Sequence, residues 1–463
     1  GLWGYHMDDQ LNALTTIFTE VYYWITVVFM FLIHVGFCLY EVGASRRKNM
    51  MHTLMKNTMV IPLVTVTFYY FGWWIYFAWP NGPGFIGGIL GAPHATSWNP
   101  LMGPSLNDEG GWSHINGVLW AAFLLFSWTA ASIVSGAVIE RIRSGAFWLL
   151  AVVIGSFMWI IGAAWGWHPD GWMVQVLGYH DAYASGVIHA TAGGFALGIL
   201  CVLGPRIGKF AKDGTPRNIA PHNPWLVTVG LFLIYTGLWG FYMASNTPII
   251  DVGEMAGMDG SFFTTTNIYL TPTTTSAITF NFLMSLSGGL MSGYLVSKGD
   301  AFWTYSSGLA GIIAASAGND LYHPVQAMLV AAVAVPVVYY MHRWVERTFK
   351  IDDAIGAVAV HGYAGFLGVV IAGFMLWGYP ASMFYDSMIT PWGQFSGAVI
   401  MFWVLGFMPA YVISRILNRV GLLRIPERVE IAGLDLSEFH GRYLDGVAIA
   451  AAEEEEARIR GLL

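Results

Sequence analysis

The sequence predicts an all-α protein that crosses a membrane many times, and three observations carry that prediction. First, 56% of the 463 residues are hydrophobic and 11% are charged, with a mean hydropathy of +0.56; a soluble domain carries about 25% charged residues. Second, the apolar residues gather in runs long enough to cross a hydrocarbon core about 30 Å thick as helices. Third, all 21 Lys and Arg fall on one side once those runs are threaded through a membrane.

Eleven spans are predicted, near 15–42, 54–79, 115–138, 145–167, 184–204, 223–244, 276–297, 303–318, 322–342, 355–377 and 393–416. They form one membrane domain over 1–416, followed by a tail over 417–463 that is the only sizeable soluble piece. The chain opens on Gly1 with no signal-like segment before the first span, as a removed signal peptide or a trimmed chain would each leave it. Cys38 and Cys201 lie inside apolar runs and give neither a disulfide framework nor a metal spacing.

The basic residues occupy Arg46 to Lys56, Arg141 to Arg143, Arg206 to Arg217, Lys298, Arg343 to Lys350 and everything from Arg415 onward. The excess of Lys and Arg in cytoplasmic loops puts these segments in the cytoplasm, the N-terminus outside and the C-terminus inside, which an odd span count requires. Twelve acids fall on the other side: Asp8, Asp9, Glu20, Asp108, Glu109, Asp170, Asp181, Asp251, Glu254, Asp259, Asp320 and Asp386. A face with acids and no bases concentrates cations and repels anions. Topology signals alone would also empty that face of bases.

Two outer loops, near 80–114 and 246–275, are rich in Gly, Pro, Thr and Asn and are expected to cap or cover the bundle. Tyr22, Tyr23, Trp24, Trp73, Trp74, Tyr76 and Trp79 cluster near span ends, where an interfacial belt is expected. Glu453 to Glu456 sit among Ala and Ile, a pattern that suits a short amphipathic helix with a solvated acidic face.

One internal repeat stands out. Asp181-Ala182 is followed by His189 and Ala192-Gly193; Asp353-Ala354 is followed by His361 and Ala364-Gly365, with the same spacing of eight from Asp to His. Eight helical residues rise roughly 12 Å, which places each His near the middle of the bilayer. The copies are offset by an odd number of spans, so they enter from opposite sides. Inverted repeats with a site at the midplane mark transporters and channels. An ionisable residue at that depth is a candidate functional residue, whereas His34, alone in the first span, suits a packed core histidine.

Six segments in order resemble the ammonium transporter/Rh family. They are FLIHVGFCLYEVGASRRKN in the first span, SGAVIERIR after the third, SGVIHATAGG with VLGPRIGKF around the fifth, GLWGFYMAS in the sixth, IDDAIGAVAVHGYAG at the tenth and VEIAGLDLSEFHG in the tail. The resemblance covers residues 25 to 445 or so. It implies a five-plus-five inverted repeat (about 15–204 and 223–377) plus one extra helix (about 393–416), assembled as a homotrimer with a pore through each subunit.

On the matching positions, the resemblance implies that His189 and His361 line the pore and hydrogen-bond to each other. Phe126 and Phe241 match two stacked gate phenylalanines, and Trp167 and Ser245 match an outer site that recruits ammonium by cation–π attraction and a hydrogen bond. Asp181 is read as a helix N-cap whose charge also favours a cation at the mouth, and Asp353 as its structural counterpart on the inner side. The chain departs from the pattern at Ala122, which is often Phe, with Phe123 beside it, and at Leu238, Tyr242 and Ala244.

A bare ammonium ion is costly to place in an apolar conduit and neutral ammonia is not, so deprotonation at or before the Phe pair is expected. The proton is then either discarded outside or passed along the histidines. The competing function is an ammonium sensor that binds and conducts little, which the altered mouth keeps open. An enzyme is disfavoured, since no catalytic set, metal spacing or phosphate loop accompanies a span, and GGFALG after His189 suits close helix packing. No cofactor and no nucleic acid are expected. The expected partners are ammonium or ammonia, with methylammonium a further candidate, membrane lipid, and a small trimeric nitrogen-regulatory protein at the tail segment Val429 to Gly441. The expected location is the plasma membrane of a bacterium or archaeon.

Overall fold

A computed structural model describes residues 2–82, 112–253, 259–260, 263–268, 271–383, 385–440, 442, 454 and 457–459. Among these, nine helices are long and apolar enough to cross a membrane: α1 Ala13–Ala44, α2 Arg47–Ala78, α3 Ile115–Ala137, α4 Ser144–Gly166, α5 Ser185–Leu203, α6 Pro224–Ala244, α9 Pro324–Phe349, α10 Val358–Met375 and α11 Pro391–Arg419. The two remaining expected spans coincide with α7, Thr275–Val296, and α8, Ala301–Ser316. Thr, Ser, Asn and Gly dilute the apolar character of α7, and α8 has only 16 residues. Boundaries move where span-length arithmetic ignores what the chain does beyond the lipid: α2 starts earlier than the expected 54, and α9 runs past 342 to Phe349.

Helix starts follow local chemistry. Asn223 accepts from Leu226 N with Pro224 at the first helical position, Thr274 accepts from Ala277 N, Asp300 from Trp303 N and Thr390 from Gly393 N. Two pairs of helices five positions apart in the chain pack together. α1 lies along α6, where Gly36, Gly230, Gly237 and Gly240 let the backbones touch; a Cβ on Gly230 would stand 2.6 Å from Gly36 O. α5 packs against α10 at the centre, and 89% of the α5 apolar window is buried inside the chain.

The expected belt is partly interior. Tyr23, Trp73 and Tyr76 are buried within the protein, while Trp24 is exposed. These rings find protein partners because the neighbouring helices present aromatic faces: Trp73 stacks on Tyr76 at 5.8 Å and meets Phe123 at 5.2 Å.

Among the described residues, the end of the bundle that carries the acids adds a small sheet to the all-α picture. Asn246–Asp251 (β1), Phe263–Asn267 (β2) and Pro272–Thr273 (β3) form an antiparallel sheet, with Asn246 opposite Asn267 and Thr265 opposite Thr273. The run of β-branched threonines suits a pleated surface. Most of the loop expected over 80–114, including Asp108 and Glu109, lies outside the described residues, as do Glu254, Glu453, Glu455 and Glu456.

At the basic end the tail is docked. Asp435 caps α2 from outside that helix, accepting from Met51 N at 2.9 Å and His52 N at 2.8 Å, while Leu434 N donates to Asn49 Oδ1. Glu430 accepts from Ile207 N and pairs with Arg424 at 2.8 Å. Beneath this strap lies a buried ion network. Glu140 bonds Arg46 and Arg206, each at 2.9 Å, and Asp352 bonds Arg206 at 2.8 Å. Burial alone would push the Glu140 carboxyl up, but Arg46 and Arg206 outweigh it and hold the group well below the ordinary carboxylate range. Asp352 is held low in the same way, with Arg206 and Arg141 overcoming burial.

Candidate functional site

The repeated motif builds the same local structure twice. Asp181 Oδ2 accepts from Gly186 N and Val187 N at 2.8 Å, and Asp353 Oδ2 accepts from Ala359 N at 3.2 Å. Val187 and Ala359 each lie six residues after their Asp. Five residues before each His the backbone is left-handed, at Ala184 (φ 75°) and Gly356 (φ 72°). Each His then sits in a wide π-turn, Ser185–Ala190 or Val358–Tyr363, that runs into ordinary α-helix. In the first, the hydroxyl of Thr191 donates to Gly186 O at 3.1 Å, satisfying a carbonyl of the wide turn.

The two imidazoles meet. His189 Nδ1 and His361 Nδ1 are 2.8 Å apart, the rings lie 17° from parallel, and both side chains are buried. One Nδ1 must donate and the other accept. With both rings neutral, the pair shares one N–H and leaves a lone pair on one Nε2 and an N–H on the other. Phe241 lies 5.5 Å from His189 and Phe37 lies 5.9 Å from His361, so the pair is sandwiched by rings. Phe37 was not singled out by sequence; its only signal is its place in the first-span motif.

On the acidic-end side the aromatic residues form one tier. Phe126 and Phe241 are 4.7 Å apart at 86°. The expected stacking is thus corrected to an edge-to-face contact, the arrangement that brings a ring's positive edge to its partner's negative face. Trp167 lies 5.3 Å from Phe126, and its indole N–H donates to Asp181 O at 2.7 Å. Ala122 is buried without a ring, and Phe123 supplies one instead, 5.8 Å from Phe126, 6.2 Å from Trp167 and 5.0 Å from Tyr76. Ser245 joins the set through Phe241, donating to its carbonyl at 3.1 Å. Phe126, Trp167 and Ser245 are all fully buried.

Asp181 also accepts from Tyr179 OH at 3.2 Å, and its Oδ1 is buried without a hydrogen-bond partner. Around it are groups to which sequence gave no site role, Asp320 having been read only as an outer acid and Tyr242 only as a departure from the family pattern. His180 Nε2 pairs with Asp320 at 2.9 Å and its Nδ1 faces Ala381 O at 3.1 Å; Tyr183 stacks on Tyr242 at 4.0 Å; Tyr242 bonds Ser316 and Asn319. These partners come from distant segments, so no local pattern marks their pairing. His34 is buried against Ser132 Oγ at 3.2 Å and beside the Trp128 ring at 5.5 Å.

A profile described as Ammonium Transporter Family matches residues 21–443. The chain is 30% identical to ammonium transporter Amt2 of Methanocaldococcus jannaschii over 92% of each chain. It is 27% identical to ammonium transporter 1 member 3 of Solanum lycopersicum over 99% of this chain and 97% of that one. A solved structure titled Sensor Amt Protein superposes with a TM-score of 0.74 at 22% identity, covering 92% of this chain and 99% of the other. Mep2 of Candida albicans does so at 0.68 and 18% identity, over 94% and 91%. The fold is therefore that of a multi-pass, helical membrane protein, and the chain belongs to the ammonium transporter family.

Proposed function

We propose that this protein carries ammonium across the membrane through a conduit centred on His189 and His361. The observation that carries the proposal is the 2.8 Å contact between two buried imidazoles set among rings. An imidazole in an apolar interior is costly unless its nitrogens are bonded. Each satisfies one nitrogen of the other and leaves an Nε2 for a small nitrogen hydride in transit. In this account Trp167, Ser245 and Asp181 receive ammonium at the outer mouth. The Phe126–Phe241 tier excludes water, so the ion gives up a proton there; ammonia passes to the histidines and the proton follows along the hydrogen-bonded pair His189–His361, so that one net charge crosses with each ammonia. Asp181 Oδ1, buried and unpartnered, supports a cation nearby.

All eleven helices then cross the membrane with the acidic end outside and the basic end in the cytoplasm. The working unit is a homotrimer in a bacterial or archaeal cytoplasmic membrane. The tail segment Val429 to Gly441 offers a surface to a small trimeric regulatory protein, and Asp435 within it is docked on the start of α2.

A second function is favoured by one observation, the complete burial of Phe126, Trp167 and Ser245. A mouth closed in this way suits binding without passage, as in a sensor. Proteoliposomes separate the two. Transport predicts an ammonium-dependent current and methylammonium uptake, both lost in His189→Ala. Ammonium binding with neither current nor uptake would establish the sensor and overturn the transporter.

A further inference from the structure

The basic end of the bundle holds a cavity of about 1060 Å³, walled by the last turns of α9, the start of α8 and the hairpin from Lys209 to Arg217. A bridge between Phe210 and Pro216 closes the hairpin, and Arg217 N donates to Lys209 O at 2.7 Å. Arg343 and Arg347 lie one turn apart on the α9 wall, and Lys350 follows at the end of that helix. Arg217 joins them from the hairpin, and all four residues are exposed.

Two of the six cations that line the cavity are neutralised. Arg206 pairs with Asp352 at 2.8 Å and Glu140 at 2.9 Å, and Lys209 pairs with Glu346 at 2.6 Å. Among the described residues, Arg217, Arg343, Arg347 and Lys350 have no carboxylate at ion-pairing distance. Lys350 donates to Gly214 O at 2.8 Å and Arg347 O at 2.7 Å, and Arg343 donates to Tyr339 OH at 2.7 Å. These neutral acceptors fix the two cations in place without cancelling their charge. The other lining acids are bonded to backbone amides. Asp300 accepts from Trp303 N at 2.9 Å, and Asp213 from Thr215 N at 2.9 Å with a weaker pull from Arg217. Asp353 accepts from Ala359 N at 3.2 Å and lies 3.8 Å from His342 Nδ1. The unpaired charges around the opening are therefore cationic, and a cleft of that kind draws anions to it.

We propose that Arg217, Arg343, Arg347 and Lys350 bind a phosphate-bearing anion at the basic-end mouth. Guanidinium forks match two phosphate oxygens at once, and an ammonium adds a point charge. The cavity is far larger than a halide requires and has room for a group of several atoms and charges. Its inner wall includes Asp353 and Gly356, on the turn leading to His361, so an occupant there closes the exit. The closure rests on the transport function proposed above; the binding does not. A soluble phosphate compound and an anionic lipid headgroup offer the same chemistry to these four side chains, and different arms of one experiment separate them.

The full chain is assayed in detergent and in phosphatidylcholine proteoliposomes. Affinities for ATP and inorganic phosphate are measured at matched ionic strength, with chloride as control, and affinity for phosphatidylglycerol by adding that lipid. The variants are Arg347→Gln, Lys350→Gln and Arg217→Gln, with Arg419→Gln as a basic residue at the same end but outside the cavity. Each replaces an exposed side chain, so all are expected to fold. The expected result is a dissociation constant for at least one probe raised fivefold or more in each cavity variant and unchanged in Arg419→Gln. Binding of ATP or phosphate in neutral lipid assigns a soluble ligand; binding of phosphatidylglycerol alone assigns the headgroup. Either supports the site. Equal affinity in wild type and the cavity variants for every probe, or no binding at matched ionic strength, would overturn it. The bound probe should also lower the ammonium current from the basic-end face at least twofold, and an unchanged current would overturn the closure. A wild type without current, whose probe binding the cavity variants still weaken, would remove the transport function and leave the site standing.

Discussion

Gly193 and Gly365 occupy exchanged positions. Gly193 lies against the backbone of Gly362, next to His361, while a Cβ on Gly365 would stand 2.8 Å from Ala190 N and 3.2 Å from His189 Cβ. Each motif's glycine, four residues past its own histidine, is the floor on which the other motif's histidine turn rests.

Neither position has room for a methyl group. Gly193→Ala or Gly365→Ala is expected to lower stability by about 1–3 kcal/mol, the usual range for overpacking, and to reduce ammonium uptake by spreading the imidazoles. Thermal unfolding in detergent and methylammonium uptake check this. Wild-type stability in both variants would contradict the close packing.

Ala184 makes the opposite case. Its left-handed backbone (φ 75°) matches that of Gly356, where glycine already stands. Ala184→Gly is expected to raise stability by up to about 1 kcal/mol, the relief of left-handed strain outweighing the freedom the unfolded chain gains. A lower melting temperature would show that the Ala184 side chain contributes more than its strain costs.

His189→Ala or His361→Ala strands the remaining imidazole. Loss of a buried partner costs about 1–3 kcal/mol. Uptake in either variant should fall at least tenfold, and the double variant should be no worse than the worse single one, because the pair acts as a unit. Additive losses would count against the shared N–H.

The ion network gives a pH signature. Glu140 and Asp352 have folded-state pKa values below their unfolded values. Their stabilisation is therefore complete above the ordinary carboxyl range and is lost as pH falls through it toward the depressed values. Glu140→Gln is expected to lower stability by about 3–5 kcal/mol at neutral pH, since it leaves Arg46 and Arg206 facing an uncharged group in the interior, and to flatten the acid limb of the stability curve. An unchanged acid limb would place the titrating groups elsewhere.

Asp435→Ala removes the cap that the tail lends to α2. The expected loss is about 1 kcal/mol. Hydrogen exchange should rise first at Met51 and His52, whose amides lose their acceptor. Protection unchanged there would mean that water or another side chain takes over.

The repeat, the helical spans and the residues that meet at the centre were legible in the sequence for physical reasons. Asp181 and Asp353 act through hydrogen bonds six residues away, and His189 and His361 keep a fixed offset from them, so a short window of sequence carries the geometry. The edge-to-face angle of Phe126 and Phe241 depends on how α3 crosses α6, which no local pattern encodes. The substitution of Phe123 for a ring at Ala122 is similar, because adjacent helical positions point about 100° apart and only packing decides which ring reaches Trp167. The His180–Asp320 pair and the Asp435 cap join segments more than a hundred residues apart.

The π-turns that hold the histidines have a consequence for how the pair is maintained. Such a turn carries one residue more than the helix around it, and an inserted residue of this kind tends to be expelled unless its surroundings forbid it. Contraction of either turn to regular pitch would rotate its imidazole by about 100° about the helix axis and carry it out of its partner's reach. The 2.8 Å approach is therefore a register mark as well as a chemical bond. Deleting a single amino acid within either segment should misalign the two histidines more completely than replacing either ring.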